Sequence, residues 1–138
     1  MEQPAKIFTV QEANALLAHL APLVEQLQAL HESVLKTNQE LDDMVRKLAQ
    51  GNGSPLKDVR QQVAELTKHQ LHLLEAFQSA LQQLESFGCF LKDLSTGLVD
   101  VYSLRDGELV LLCWKLGEDR FGFWHRVEEG FAGRQPLE

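Results

Sequence analysis

The chain has 138 residues, of which 44% are hydrophobic, and a formal net charge of −7 at pH 7. Acidic residues outnumber basic ones in both the helical and the C-terminal parts, so there is no basic stripe, which argues against direct nucleic-acid binding. No apolar run approaches the ~20 residues of a membrane span, and the first residues lack a secretory pattern. The two cysteines, Cys89 and Cys113, lack metal-type spacing. We therefore predict one domain over residues 1–138, soluble and cytoplasmic, with free thiols.

The first predicted element is a long amphipathic helix over residues 9–50. Thr9 and Glu12 have the spacing of a capping box, in which each side chain bonds the backbone N–H of the other residue. After this cap, apolar positions alternate at intervals of four and three residues, which is a heptad seam. We expect a kink or a break at Pro22, because proline removes an N–H donor and clashes with the carbonyl four residues earlier.

The stretch "GNGSP" over residues 51–55 ends this helix, and a second helix is predicted over residues 55–87, with Gly88 at its end. Either Gly51 or Gly53 can adopt the left-handed conformation that terminates a helix. A connection this short requires the two helices to form an antiparallel hairpin.

The apolar stripes of both helices are too wide for a contact between two helices. Each stripe has about three apolar positions per heptad. We therefore predict that two hairpins pair into a four-helix bundle, which makes the protein a homodimer with coiled-coil packing. Three seam positions are polar, His31, Asn38 and Gln70, and we interpret them as a structural layer that fixes helix register. A ligand or metal site in the bundle core is the alternative interpretation.

The hydrophobic period changes in residues 89–138, where a small antiparallel sheet and a tail are predicted. Residues 106–107, "DG", stand between two apolar runs and predict a two-residue hairpin in which paired numbers sum to 213. This register places Asp100 directly opposite Cys113. A third strand is predicted at about residues 121–127, with "FLKDL" as a further short strand. The fold class is thus α+β and mostly α, with a helical hairpin followed by a three-stranded meander.

The register of the third strand decides whether a site forms. A four-residue loop over residues 117–120 makes paired numbers sum to 237 and places His125 on the face opposite to Cys113. A loop one residue longer or shorter makes the sum 238, and Asp100, Cys113 and His125 then form a cross-strand row, because side chains alternate between faces. Such a row could bind a metal ion or activate the thiol. In the other register Cys113 is a small core residue.

The candidate ligand-binding residues are acids, aromatics and cations of the C-terminal part: Asp93, Asp100, Trp114, Glu118, Trp124, His125 and Arg134. The candidate metal ligands are Cys113, His125 and Asp100. No catalytic residue is named, because no acid–base pair has a proximity that the sequence fixes. We expect Arg134 to pair with an acid such as Asp93 or Asp100, and the aromatic side chains to anchor the tail.

The motifs "FTVQEANALL", "GNG", "LKDLSTGLVDV", "LLCWKLGE", "FWH" and "GFAGRQPL" resemble a bacterial family of uncharacterised proteins, a domain of unknown function. The resemblance covers residues 7–137, and its specific part is the series LVD, LCWxLGE, WH and GFAGRxPL. Val101 departs from the family pattern, which has Phe after the Asp, and nothing functional depends on that position. The resemblance supports the architecture and implies no activity or substrate.

Taken together, these features favour a non-catalytic, homo-oligomeric helical interaction or scaffold protein, with a further protein as a partner. The alternative is a metal- or small-ligand-binding protein, or an enzyme, with its site on the C-terminal sheet. No cofactor is predicted, and neither nucleic acid nor a membrane is expected as a partner.

Overall fold

The computed structural model describes residues 6–51 and 56–137. The chain divides into two compact units: unit 1 is Met1–Gln28 with Ala80–Glu138, and unit 2 is Ala29–Ser79. The elements are α1 (Val10–Ala15), α2 (Leu17–Gln50), α3 (Leu56–Ser86), β1 (Phe90–Asp93), β2 (Leu98–Arg105), β3 (Glu108–Lys115), β4 (Phe123–Arg126), a 3-10 helix (Phe131–Gly133) and β5 (Gln135–Pro136). This is the predicted α+β class. None of the described helices is long and apolar enough to cross a membrane.

The helical part begins with the predicted capping box. Thr9 Oγ1 accepts from the N–H of Glu12 at 3.1 Å, and Glu12 Oε1 accepts from the N–H of Thr9 at 2.8 Å. Of the two alternatives predicted at Pro22, the break is wrong, because Pro22 lies inside α2, and the kink stays a prediction. The break lies at Leu16, whose N–H donates to the Ala13 carbonyl at 3.1 Å. This bond spans three residues and is of the 3-10 type, so the turn at Leu16 ends α1 six residues before Pro22.

The helical hairpin is confirmed. The helix predicted over residues 55–87 is α3, and Gly51 follows α2 with a φ of 60°, in the left-handed region that favours glycine. Gly53, the other predicted end point, lies outside the described residues. Within unit 1 the ring of His19 stacks on that of Phe87, with centroids 5.6 Å apart.

The predicted polar layer appears in unit 2 only as a contact between two residues. The side-chain amide of Gln70 donates to Asn38 Oδ1. Asn38 is exposed, Gln70 is half-buried, and His31 is exposed. A buried layer of three residues is therefore not formed within one chain, because two helices alone cannot enclose it.

The C-terminal part is a five-stranded antiparallel sheet in the order β1-β2-β3-β4-β5, and the predicted three-stranded meander is wrong in strand number. The central hairpin is confirmed: Arg105 pairs with Glu108, and Asp106 and Gly107 have φ angles of 53° and 79°. The stretch "FLKDL" supplies β1. The sequence missed β5, because two residues carry no alternating pattern. Its proline suits the edge of a sheet, since it has no N–H to donate.

Unit 1 has an apolar core of its own. Its buried side chains come from the helices, from one face of the sheet and from the connection before β4: Ala13, Leu20, Val24, Leu27, Val99, Val101, Leu112, Trp114 and Phe121. Two polar contacts hold the N-terminal segment. Asn14 Oδ1 accepts from the N–H of Phe121 at 2.7 Å, and the Ser103 hydroxyl donates to the Phe8 carbonyl at 2.6 Å. The residues that alternate with the core positions along the strands point to the opposite face.

We expect Gly97→Ala to destabilise the protein more than Gly107→Ala. Both glycines have left-handed φ angles, of 72° and 79°, so each substitution strains the backbone by roughly 1–2 kcal/mol. At Gly97 an added Cβ would also lie 2.7 Å from Leu116 Cβ and 3.0 Å from Val24 Cγ1, whereas nothing lies within 4 Å at Gly107. This clash adds roughly 1–3 kcal/mol.

Chemical denaturation of the two variants measures the difference in unfolding free energy, and Gly107→Ala is the control for backbone strain alone. An equal loss of unfolding free energy in the two variants would show that Gly97 is not packed as tightly as these distances require.

Candidate functional site

Three neighbouring strands bring Asp100, Cys113 and His125 to the same face of the sheet. Asp100 lies directly opposite Cys113, as predicted. Between β3 and β4, Leu111 pairs with His125, so paired numbers sum to 236. The predicted sums of 237 and 238 are therefore both wrong, because pairing stops at Cys113 and Phe123 and the nine residues between them are centred on residue 118. The even sum keeps His125 on the face of Cys113, as a diagonal neighbour rather than directly opposite it.

These three side chains are buried and close together. Asp100, Cys113 and His125 are 1%, 0% and 2% exposed. His125 Nε2 lies 3.0 Å from Asp100 Oδ2. One ring nitrogen, the thiol sulfur and one carboxylate oxygen all lie within 4.8 Å of one another, which is a spacing that a metal ion can bridge. The second carboxylate oxygen, Asp100 Oδ1, is buried and accepts no hydrogen bond of ordinary geometry from the described residues, although the Cys113 thiol lies close enough to Asp100 to oppose the rise that burial causes in the pKa of its carboxyl.

The backbone determines which ring nitrogen of His125 carries a proton. Nδ1 lies 2.9 Å from the carbonyl oxygen of Arg126, and a carbonyl only accepts, so Nδ1 carries a hydrogen. Nε2 and Asp100 then share a single proton. Burial raises the pKa of Asp100, while the charge and the hydrogen bond of His125 oppose that rise. One shared proton keeps this buried pair neutral as a whole, which avoids the cost of an isolated buried charge.

Cys113 is not an activated thiol. Burial raises the pKa of its thiol to about 12, and the neighbouring Asp100 carboxylate contributes to the rise. In addition, neither nitrogen of His125 faces the sulfur as a base, since Nδ1 meets the Arg126 carbonyl and Nε2 meets Asp100. A cysteine nucleophile needs a lowered pKa or a base in contact with it. The arrangement therefore does not support the hypothesis of nucleophilic catalysis.

A second polar contact ties the C-terminal segment to the connection between β3 and β4. Arg134 Nη2 donates to Glu118 Oε1 at 2.6 Å, and the same oxygen accepts from the N–H of Lys115 at 2.8 Å. The Arg134 guanidinium also lies over the rings of Phe123 and Phe131, 3.8 and 4.9 Å from their centroids. These contacts combine an ion pair with cation–π stacking, which favours arginine over lysine at this position.

Arg134 pairs with an acid, as expected, but that acid is Glu118 and not Asp93 or Asp100. The Asp93 carboxylate accepts from the backbone N–H of Thr96 at 3.2 Å, and hydrogen bonds from Thr96 lower the pKa of Asp93. Asp100 is engaged by His125. No local pattern encodes a pairing between distant charges, so the sequence could not select the correct acid.

The two tryptophans are anchors in unit 1. The Trp114 indole N–H donates to the Glu118 carbonyl at 2.8 Å, and its ring lies 6.3 Å from that of Phe121. Trp124 packs beneath the Arg105 guanidinium, which lies 4.9 Å from a ring centroid. Neither indole contacts the cluster of Asp100, Cys113 and His125 through a hydrogen bond.

A cavity of about 690 Å³ opens next to Glu118. Its polar lining consists of Asn14, Arg105, Glu118, Asp119 and Arg120. Of these residues only Glu118 is a sequence-predicted site residue, because α1 and the turn after β3 are far apart along the chain. Two acids and two cations line the cavity, so it favours no single charge of ligand.

The family model described as "Uncharacterized conserved protein (DUF2203)" matches residues 6–137. The chain belongs to this family. The expected membership of a family of uncharacterised proteins is thereby confirmed, and the description of DUF2203 gives no activity that could be transferred to the site. No curated protein and no solved structure matches the chain. The function has to be argued from the residues themselves.

We expect both cysteines of the folded, metal-free protein to resist alkylation. Burial raises the pKa of Cys89 and of Cys113 to about 12. At pH 8 roughly one such thiol in 10,000 is ionised, against about one in four for a free cysteine. Labelling by iodoacetamide with a chelator present should therefore be at least about 1,000-fold slower in the folded than in the urea-unfolded protein.

Mass spectrometry of the labelled peptides distinguishes the two thiols, and Cys89 serves as the internal control. Rapid and selective labelling of Cys113 in the folded state would restore the nucleophile hypothesis.

Proposed function

We propose that this protein is a non-catalytic, homodimeric helical interaction protein and that unit 2 is its dimerisation surface. One observation carries the proposal: among the described residues of unit 2, only Thr37 and Val59 are buried. A unit with two buried side chains does not close a hydrophobic core of its own. Its apolar residues therefore need a further surface to cover them.

The apolar stripes of unit 2 are open to solvent along both helices. The large apolar side chains that are 40–58% exposed in this unit are Leu35, Val45, Leu48, Leu56, Leu71 and Leu74. Fully burying one leucine contributes ~1.5–3 kcal/mol, so covering several of them on two copies offsets much of the cost of association.

A second copy of the same chain is the occupant that this surface fits best. Unit 2 contains seven acidic and six basic residues, so it is nearly neutral in a chain whose net charge is −7. Two copies of unit 2 can therefore meet without strong repulsion. A groove of about 480 Å³, lined by Met44, Leu66 and charged side chains, can receive side chains from a facing helix. Two hairpins then form a four-helix bundle, in which the contact of Asn38 with Gln70 fixes the register.

The proposal places the protein in the cytoplasm, where the free thiols of Cys89 and Cys113 stay reduced. It includes a further protein as a partner of the dimer. It includes neither nucleic acid nor a membrane, because the chain is acidic and has no basic stripe.

Light scattering of the full-length protein should give about twice the chain mass of 15.6 kDa. Leu74→Glu should return the mass to that of one chain, because each copy would bring an unpaired charge into the interface. We expect the dimer dissociation constant to rise at least about 100-fold. Leu104→Glu is the matched control: Leu104 is 57% exposed and lies on β2 of unit 1, whereas Leu74 is 45% exposed.

The control variant should remain dimeric. A wild-type monomer at micromolar concentration contradicts the proposal, and so does a Leu74→Glu variant that dimerises as tightly as wild type.

A further inference from the structure

We propose that Asp100, Cys113 and His125 form a binding site for one divalent metal ion of the zinc class. The three side chains come from β2, β3 and β4 and point to one face of the sheet. Their ligand atoms already lie within 4.8 Å of one another. The site lies entirely within unit 1, so it is independent of the dimerisation proposed for unit 2.

The orientation of His125 is that of a metal ligand. Nδ1 donates to the Arg126 carbonyl, which leaves the Nε2 atom facing Asp100. Histidines that bind metals usually donate their other ring N–H to a carbonyl or a carboxylate, which fixes the tautomer and the direction of the ring. The backbone of β4 supplies this contact from the residue next to the ligand itself, so the ring is oriented before any ion binds.

The free oxygen of Asp100 is the second observation that points to an ion. Asp100 is 1% exposed, yet its Oδ1 atom accepts no hydrogen bond of ordinary geometry from the described residues. Most buried polar atoms in proteins have a partner, and an unsatisfied one costs stability. A cation bound by Asp100, Cys113 and His125 places its positive charge next to this oxygen and so compensates for the missing hydrogen bond.

The distances suit a small tetrahedral ion after minor side-chain movement. With metal–nitrogen and metal–oxygen bonds of about 2.0–2.1 Å and metal–sulfur bonds of about 2.3 Å, the ligand atoms lie roughly 3.3–3.6 Å apart. His125 Nε2 and Asp100 Oδ2 are 3.0 Å apart, and no pair in the cluster exceeds 4.8 Å. Shifts of side chains on an unchanged sheet are therefore sufficient.

The net charge of the buried site does not change when the ion binds. The ion displaces the thiol proton of Cys113 and the single proton shared by His125 and Asp100, so two protons leave for solvent. A charge of +2 then meets a thiolate and a carboxylate, and the buried site is neutral both before and after binding. Thiolate and imidazole donors favour Zn²⁺, Co²⁺ and similar ions over Mg²⁺ and Ca²⁺, which prefer oxygen ligands.

Cobalt titration of the full-length, metal-free protein tests the site. We expect one Co²⁺ per chain, with a thiolate-to-cobalt charge-transfer absorption that Zn²⁺ removes and Mg²⁺ does not. Cys113→Ser should lose the charge-transfer absorption. Cys89→Ser should retain it, and it is a matched control because Cys89 is also a buried free thiol.

Asp100→Asn keeps the test decisive if Cys113→Ser does not fold. An asparagine N–H can donate to His125 Nε2, so the buried contact survives while the charged ligand is lost. We expect this variant to keep the circular dichroism spectrum of wild type and to bind Co²⁺ at least about 10-fold more weakly.

Stoichiometric binding that shows the charge-transfer absorption and weakens in Asp100→Asn supports the site. A folded wild-type protein that binds no Co²⁺, or binds it without that absorption, overturns the proposal. Unchanged affinity in a folded Asp100→Asn variant overturns it as well. None of these outcomes depends on whether the protein is a dimer.

Discussion

The register between β3 and β4 decides which side chains share a face of the sheet. Because Leu111 pairs with His125, the imidazole lies on the face of Asp100 and Cys113. A slip by one residue would turn His125 toward the apolar core and leave a buried carboxylate without its partner. The contact of Asp100 with His125 and the strand register therefore stabilise each other, and the geometry of the candidate site depends on both.

The C-terminal segment also stabilises the position of β4, the strand that bears His125. β5 pairs with β4, and Arg134 links this segment to Glu118 while stacking on Phe123. Phe123 is itself the residue opposite Cys113. Order in the tail is thus coupled to the strand that bears His125, which explains why aromatics, glycines and charges are concentrated at this end of the chain.

The two units differ in how many side chains each buries within itself. Unit 1 buries an apolar core and a polar cluster, whereas the described part of unit 2 buries only Thr37 and Val59. The first pattern is typical of a self-contained fold with an internal site. The second is typical of a surface that is completed by association. We therefore assign self-association to unit 2 and ion binding to unit 1 as separate proposals.

Short sequence patterns predicted the capping box at Thr9, the hairpin at Asp106 and the cross-strand pair of Asp100 with Cys113. Each of these features depends on residues that are close along the chain. The place of His125 could not be predicted, since the glycine-rich connection before β4 fits both odd and even registers. The acid that pairs with Arg134 could not be predicted for a similar reason, because it depends on how the tail returns to the sheet.

Other features could not be predicted from the sequence. Either the element is too short to show a periodic pattern, or the burial of its side chains depends on neighbours from elsewhere in the structure. β5 has two residues, so no alternation could reveal it. The polar seam residues Asn38 and Gln70 contact each other, but the burial predicted for the polar layer assumed neighbours that a single hairpin does not supply. The helix break fell at Leu16 because the turn geometry there, and not the proline, ends α1.

The most direct test of the central claim is the protonation of the His125 ring in the metal-free protein, measured by long-range proton–nitrogen NMR. We expect a hydrogen on Nδ1, bonded to the Arg126 carbonyl, with Nε2 in contact with Asp100. A neutral ring that carries its only hydrogen on Nε2, with Nδ1 bare, would contradict the hydrogen bond to Arg126 and the orientation on which the site depends.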